Sequence, residues 1–191
     1  MTAARRSLAA AAAAVTMLAL TGCQWRFGVA GDSVTFDARD ELEDRGAIVR
    51  SFGGVSLAAA GRPAVRALAR AGFDEIVVAL GLNDVAYGAT PAELERRVRA
   101  TMRDDLAGVD CVIWVDLKTT SNVHDDWPAR AGQFNEMLGR VVRAYGGHVA
   151  AWSRQAAAHP AWFRSDGIHL NAAGQVGYAR FINAARLSLC G

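Results

Sequence analysis

Lysine is all but missing from this chain: Lys118 is the one example, and arginine supplies the rest of the 21 basic side chains. Beside the high alanine and glycine content, that skew reads as compositional bias and not as a binding signal. Neither sign of charge is in excess. Residues 1–22 carry two of the 21 basic groups and none of the 19 acidic ones, so beyond them 19 of each remain and the chain is formally neutral. Without clustered Lys and Arg to neutralise phosphates, nucleic acid is excluded as a partner. No apolar run reaches the roughly 20 residues that a membrane-spanning helix needs. Histidines are few, and His124, His148 and His159 match no ligand spacing, so neither a metal nor another cofactor is expected. Internal repeats, low-complexity linkers and composition breaks are absent after residue 23.

What is present starts with a leader. Arg5 and Arg6 precede an almost unbroken Ala/Leu/Val/Met run of 13 residues from Leu8 to Leu20, the length of a secretory h-region. Leu20-Thr21-Gly22-Cys23 follows, and it resembles a bacterial lipobox, in which the cysteine is lipidated and becomes the new N-terminus. Residues 1–22 are thus expected to be a lipoprotein-type signal peptide and 23–191 a single domain, large enough for a proper core. The expected location is the outer face of the cell membrane, held through a lipid on Cys23 as the sole membrane contact, or outside the cell if Cys23 is not lipidated. In an oxidising compartment the other two cysteines, Cys111 and Cys190, either pair or stay as separate thiols.

Beyond the leader, short apolar runs alternate with longer stretches of helical period. The runs are Trp25–Ala30, Ala47–Phe52, Ile76–Leu80, Cys111–Leu117 and His148–Trp152; helices are predicted near 34–45, 61–71, 91–107, 129–145 and 172–188. This alternation implies βαβ units and a parallel sheet covered on both faces. Thr90-Pro91-Ala92-Glu93 carries the signals of a helix start, Asn171 is a candidate N-cap, and Gly72 and Gly146-Gly147 stand where helices should stop. The expected fold is α/β, a three-layer α/β/α sandwich around a flavodoxin-like, five-stranded parallel sheet, in strand order 2-1-3-4-5. Loops after the carboxyl ends of such strands gather along one edge, where ligands bind.

Three stretches fall at that edge or at a helix start. Gly31-Asp32-Ser33 follows the first apolar run; alone it reads as a helix cap before it reads as a nucleophile with a free backbone N–H. Gly81-Leu82-Asn83-Asp84 follows the third and offers either a plain turn or an amide donor for an oxyanion. Ser165-Asp166-Gly167-Ile168-His169 precedes the last helix; across its glycine a carboxylate can hold one imidazole nitrogen while the other faces outward. Together they supply a nucleophile, a base with its orienting acid, and an oxyanion donor.

Gly-Asp-Ser near the start, Gly-x-Asn-Asp in the middle and Asp-x-x-His near the end, in that order over residues 25–188, resemble the SGNH (GDSL) hydrolase family. The resemblance implies that fold and a serine esterase. Ser33 would be the nucleophile and one oxyanion N–H donor, Asn83 the side-chain donor, His169 the general base and Asp166 its partner. The family also uses a glycine N–H after the second strand; here Gly53 and Gly54 both qualify and Gly54 is preferred. No Gly-x-Ser-x-Gly elbow occurs, so the α/β-hydrolases are not implied.

In the implied fold Cys190 ends the last helix at the edge opposite the site, where Cys111 begins strand four, and a Cys111–Cys190 disulfide is expected. Trp114 and Trp152 read as core residues of strand runs, and Asp84 as a structural hydrogen-bonder. His124-Asp125-Asp126-Trp127 either lines the cleft, with Trp127 free to stack on a sugar, or is a solvated loop. The loops that would set specificity, 55–60, 85–90, 118–128 and 153–165, lack a distinctive charge pattern, which suggests a neutral or sugar-like ligand. The partner is therefore a small-molecule or carbohydrate acyl ester, such as an O-acetylated envelope carbohydrate. Two other activities fit the same residues: O-acyl transfer to a carbohydrate, and glycan binding without catalysis.

Overall fold

Short apolar runs rich in Val, Ile and Ala form five strands: β1 (Phe27–Gly31), β2 (Ala47–Ser51), β3 (Glu75–Ala79), β4 (Cys111–Val115) and β5 (His148–Ala150). They make one parallel sheet in the order β2-β1-β3-β4-β5, the order expected, with Val29 facing Val49 and Val77, and Val77 facing Ile113. The computed structural model describes residues 26–121 and 124–191. The expected leader, Cys23 and the Trp25 end of the first apolar run lie outside the described residues.

The helices are α1 (Ser33–Asp37), α2 (Arg39–Glu43), α3 (Arg62–Arg70), α4 (Leu82–Ala86), α5 (Pro91–Ala100), α6 (Trp127–Ala144), α7 (Trp152–Ala158) and α8 (Ala172–Leu189). An irregular turn over Leu57–Gly61 leads into α3, and a wider turn over Thr101–Asp105 prolongs α5. Successive strand residues point to opposite faces, and each face has its own core. Val78, Val112 and Trp114 pack with Leu68 of α3, Val98 of α5 and Leu138 of α6. On the other face Phe27, Val29, Val77 and Ile113 pack with Leu42 of α2 and Tyr178 and Ile182 of α8.

Local chemistry accounts for several boundaries. Thr90 and Glu93 form a reciprocal capping box with Pro91 at the first helical position of α5. Asn171 accepts from the N–H of Gly174 and starts α8. The predicted helix over 34–45 is instead two short ones, parted at Ala38, whose ψ of 15° leaves the helical range. The fifth apolar run also divides: β5 stops at Ala150, and Trp152 opens α7 rather than ending a strand. Trp152 is core nonetheless, buried edge-on against Tyr178 at 4.8 Å between ring centroids. A short apolar run cannot distinguish a buried strand from a helix start, and here it held both.

Cys111 and Cys190 are joined by a disulfide, with 5.8 Å between their Cα atoms. It fixes the end of α8 to the start of β4, at the amino edge of the sheet. Arg186 reinforces the same corner through Glu75, at 2.8 Å.

Candidate active site

Gly31 ends β1 because nothing larger fits: a Cβ there would stand 2.1 Å from the Oγ1 of Thr35. In the turn that follows, the capping bond belongs to the aspartate. Asp32 is the N-cap of α1, accepting the Val34 N–H at 3.1 Å through Oδ1. That leaves the hydroxyl of Ser33 outside the capping interaction, and it meets Nε2 of His169 at 3.0 Å.

The histidine is positioned by its own turn. Gly167 adopts a left-handed φ of 69°, which folds the chain so that Asp166 Oδ1 accepts the N–H groups of Ile168 (2.8 Å) and His169 (2.9 Å). Asp166 Oδ2 is then free for Nδ1 of His169, at 2.8 Å. Burial alone would raise the Asp166 carboxyl, but the Ile168 N–H, the His169 ring and the His169 N–H outweigh it and bring the group down to about 2. An ionised Asp166 fixes the imidazole tautomer with Nδ1 protonated and Nε2 facing Ser33. The turn is clamped from behind: Arg164 Nε donates to the Leu170 carbonyl, and Asp37 accepts from the Leu170 N–H at 3.1 Å and from Arg164 Nη2.

Beyond β3, Gly81 takes a φ of 124°, and a Cβ there would lie 2.4 Å from the Phe134 ring. This conformation turns Asn83 into the interior, 6% exposed, where Nδ2 donates to the Val55 carbonyl at 2.9 Å. Asp84 is a structural hydrogen-bonder: its carboxylate takes the Leu57 N–H at 2.7 Å and Arg97 Nη1 at 2.8 Å. The two neighbouring side chains thereby hold the segment leaving β2 at Val55 and Leu57, just after Gly54, which takes a left-handed φ of 69°. The Asn83 amide has a second N–H beyond the one given to Val55.

Several functional features escape sequence reasoning. A mostly apolar cavity of about 30 Å³ lies beside the Ser33 and His169 turns, with Val34, Leu82, Leu117, Trp127, Trp152 and Ile168 in its lining. Trp127 is thus neither an exposed stacking surface nor part of a solvated loop: it starts α6, is buried, and its Nε1 donates to the Lys118 carbonyl. Asp32 also reaches this cavity, and burial, opposed by the Val34 N–H and by His169, pushes its carboxyl up to about 7. Burial raises Asp116 too, against the Ser153 hydroxyl and N–H that it accepts. Lys118, whose rarity looked like mere composition, donates to the carbonyl of Gly167. Among the described residues no three His, Cys, Asp or Glu side chains come together as a metal site.

The family model of the GDSL-like lipase/acylhydrolase family matches residues 8–176. No curated protein matches the sequence. Among solved structures the chain is similar to a GDSL-like lipase from Bacteroides thetaiotaomicron, at 16% identity and a TM-score of 0.72, over 86% of this chain and 89% of that one. It is similar also to the C-terminal catalytic domain of peptidoglycan O-acetyltransferase A from Streptococcus pneumoniae, at 18% identity and a TM-score of 0.68, over 86% and 93%. An acetylxylan esterase from Geobacillus stearothermophilus aligns at 14% identity and a TM-score of 0.67, over 83% and 92%. At such identities these likenesses speak to the fold.

Proposed function

Since the chain belongs to the GDSL-like lipase/acylhydrolase family and is a serine ester hydrolase of that type, we propose that Ser33 is its nucleophile, His169 its general base and Asp166 the acid that orients the base. The observation that carries this reading is the unbroken hydrogen-bonded line from Ser33 Oγ through the imidazole to Asp166. His169 takes the Ser33 proton as Oγ attacks the ester carbonyl. The tetrahedral oxyanion rests on the N–H groups of Ser33 and Gly54 and on the free N–H of the Asn83 amide. His169 then gives the proton to the departing alcohol, and water, activated by the same imidazole, releases the acid from the acyl-enzyme.

The substrate we propose is a short acyl ester, foremost an O-acetylated carbohydrate of the cell envelope. The small, mostly apolar cavity reached by Asp32 and Val34, the neighbours of Ser33, supports a short acyl end. Exposed aromatics also stand in the segments that follow β2 and β3: Phe52, next after β2, is 51% exposed and Tyr87, at the end of α4, 72%. Such rings suit the C–H face of a sugar. Transfer of the acyl group to a second sugar hydroxyl is the alternative second half-reaction, favoured by the same aromatic rim and by the fold shared with an O-acetyltransferase domain. The leader and Cys23 support export and a lipid anchor. The chain enters β1 at the edge opposite Ser33, so an anchor there would turn the site away from the bilayer. Loss of detergent-phase partitioning in Cys23→Ser tests the anchor; unchanged partitioning removes it.

The activity test is hydrolysis of p-nitrophenyl acetate, butyrate and octanoate by wild type and Ser33→Ala, with fluorophosphonate labelling alongside. Rates that fall with chain length, vanish in Ser33→Ala and accompany an adduct on Ser33 are expected. A folded wild type that hydrolyses none of them and takes no label would overturn the assignment and leave a glycan-binding protein.

A further inference from the structure

We infer that Lys118 is a positioning residue for this site, acting on Asp166 and His169 through the peptide group that joins Gly167 to Ile168. Its ammonium donates to the carbonyl of Gly167 at 2.8 Å and to the carbonyl of Thr120, and lies 4.6 Å from the centroid of the Phe163 ring. These contacts of the ammonium are all with neutral groups. The carboxylate whose charge acts on it is Asp166, and this attraction opposes the lowering that partial burial imposes on the Lys118 ammonium.

The consequence lies in one peptide plane. Its carbonyl end, on Gly167, is held by Lys118; its N–H end, on Ile168, donates to Asp166 Oδ1 at 2.8 Å. The other oxygen of Asp166 holds His169 Nδ1 at 2.8 Å, and His169 Nε2 faces Ser33 Oγ at 3.0 Å. Because a peptide is rigid and planar, fixing the carbonyl fixes the direction of the N–H. A cation on the carbonyl also polarises the group and strengthens the N–H as a donor. Gly167 is the residue that most needs such a restraint: it sits at a left-handed φ in the middle of the turn, where glycine itself imposes little. Arg164 and Asp37 clamp the turn from the α1 side, whereas Lys118 ties it to the exit of β4. The one lysine in the chain therefore sits behind the base of the site, four links from the serine.

This inference rests on the Ser33–His169–Asp166 reading, and its test separates the two. Lys118→Met removes the charge and the donors at similar length; Lys118→Arg keeps both. We would measure kcat and KM on p-nitrophenyl acetate, the thermal midpoint, and the downfield proton NMR resonance of the imidazole Nδ1–H held by Asp166. The expected result for Lys118→Met is a kcat lower by about 10- to 100-fold with KM within about twofold, the scale of a slightly misplaced catalytic group. The Nδ1–H resonance should shift or broaden, and Lys118→Arg should recover most of both. A Lys118→Met enzyme with unchanged kcat and resonance overturns the inference, as does a loss of kcat with an unchanged resonance, or one that Lys118→Arg does not repair. Should Lys118→Met fail to fold, reductive dimethylation of the folded wild type replaces it, since Lys118 is the sole side-chain amine and would lose donors while keeping its charge. An inactive wild type would count against the esterase reading alone, because the resonance still reports whether Lys118 governs the Asp166–His169 contact.

Discussion

At the residue scale, Asp32 and Asn83 each combine a structural bond with a place at the site. Asn83 gives one amide N–H to Val55, and the second is the one the proposed oxyanion would take. Asn83→Ala should lower kcat on p-nitrophenyl acetate by about 10² to 10³ while leaving detectable turnover; a kcat within a few-fold of wild type would remove it from the oxyanion site. Asp32 makes a pH-dependent contribution to stability. With its folded value at about 7 against an ordinary 3.8, the folded protein keeps a proton that the unfolded chain has released in between. Stability from this group therefore falls as the pH rises from about 4 to about 7 and is level above, a loss on the order of 4 kcal/mol. Asp32→Asn retains an acceptor for the Val34 N–H without the charge, so urea titrations should find it more stable than wild type at pH 8 and close to it at pH 4.5. An equal difference at both would sink this account. Asp166 works in the opposite sense: brought down to about 2, its stabilisation is present above the ordinary carboxylate value and lost as the pH falls toward 2. Its side chain is 36% exposed, so solvent keeps this term small.

At the element scale, the close approach of α1 to the end of β1 depends on a missing side chain. Thr35 is fully buried, its hydroxyl 3.2 Å from that of Tyr178, and it has no room to yield to a Cβ on Gly31. Gly31→Ala should cost about 1–3 kcal/mol by overpacking and displace Ser33, lowering kcat more than KM. Gly53→Ala, with nothing within 4 Å of its Cβ, should leave the thermal midpoint nearly unchanged. If both variants melt alike, the packing argument at Gly31 is wrong. Legibility of the elements followed how local their causes were. The start of α5 is plain because Thr90 and Glu93 bond to each other and Pro91 between them is preset for the first helical position. The division of 34–45 at Ala38 and the passage of Trp152 into α7 are not, since period alone does not mark where a chain turns.

At the scale of the whole molecule, the disulfide and the site occupy opposite edges of one sheet. The Cys111–Cys190 bond closes a stretch of 79 residues and should stabilise the fold by about 2–4 kcal/mol, chiefly by restricting the unfolded chain. Reduction is accordingly expected to lower the thermal midpoint by about 5–15 °C while kcat at 25 °C stays the same; lost activity in a still-folded reduced enzyme would contradict that separation. What the sequence determined by itself was whatever depends on near neighbours or on strand alternation. That covers the order of strands and helices, the parallel sheet, and the three stretches bearing Ser33, Asn83, Asp166 and His169. Asp166 and His169 lie three apart, so one turn suffices to join them, and a glycine between them marked that turn. The tertiary structure decided the rest. Lys118 meets Gly167 from 49 positions away, Trp127 becomes a cavity wall, and Asp32 is buried beside His169. These outcomes rest on contacts between segments far apart in the chain, which become neighbours only when the parallel sheet brings its strand ends to one edge.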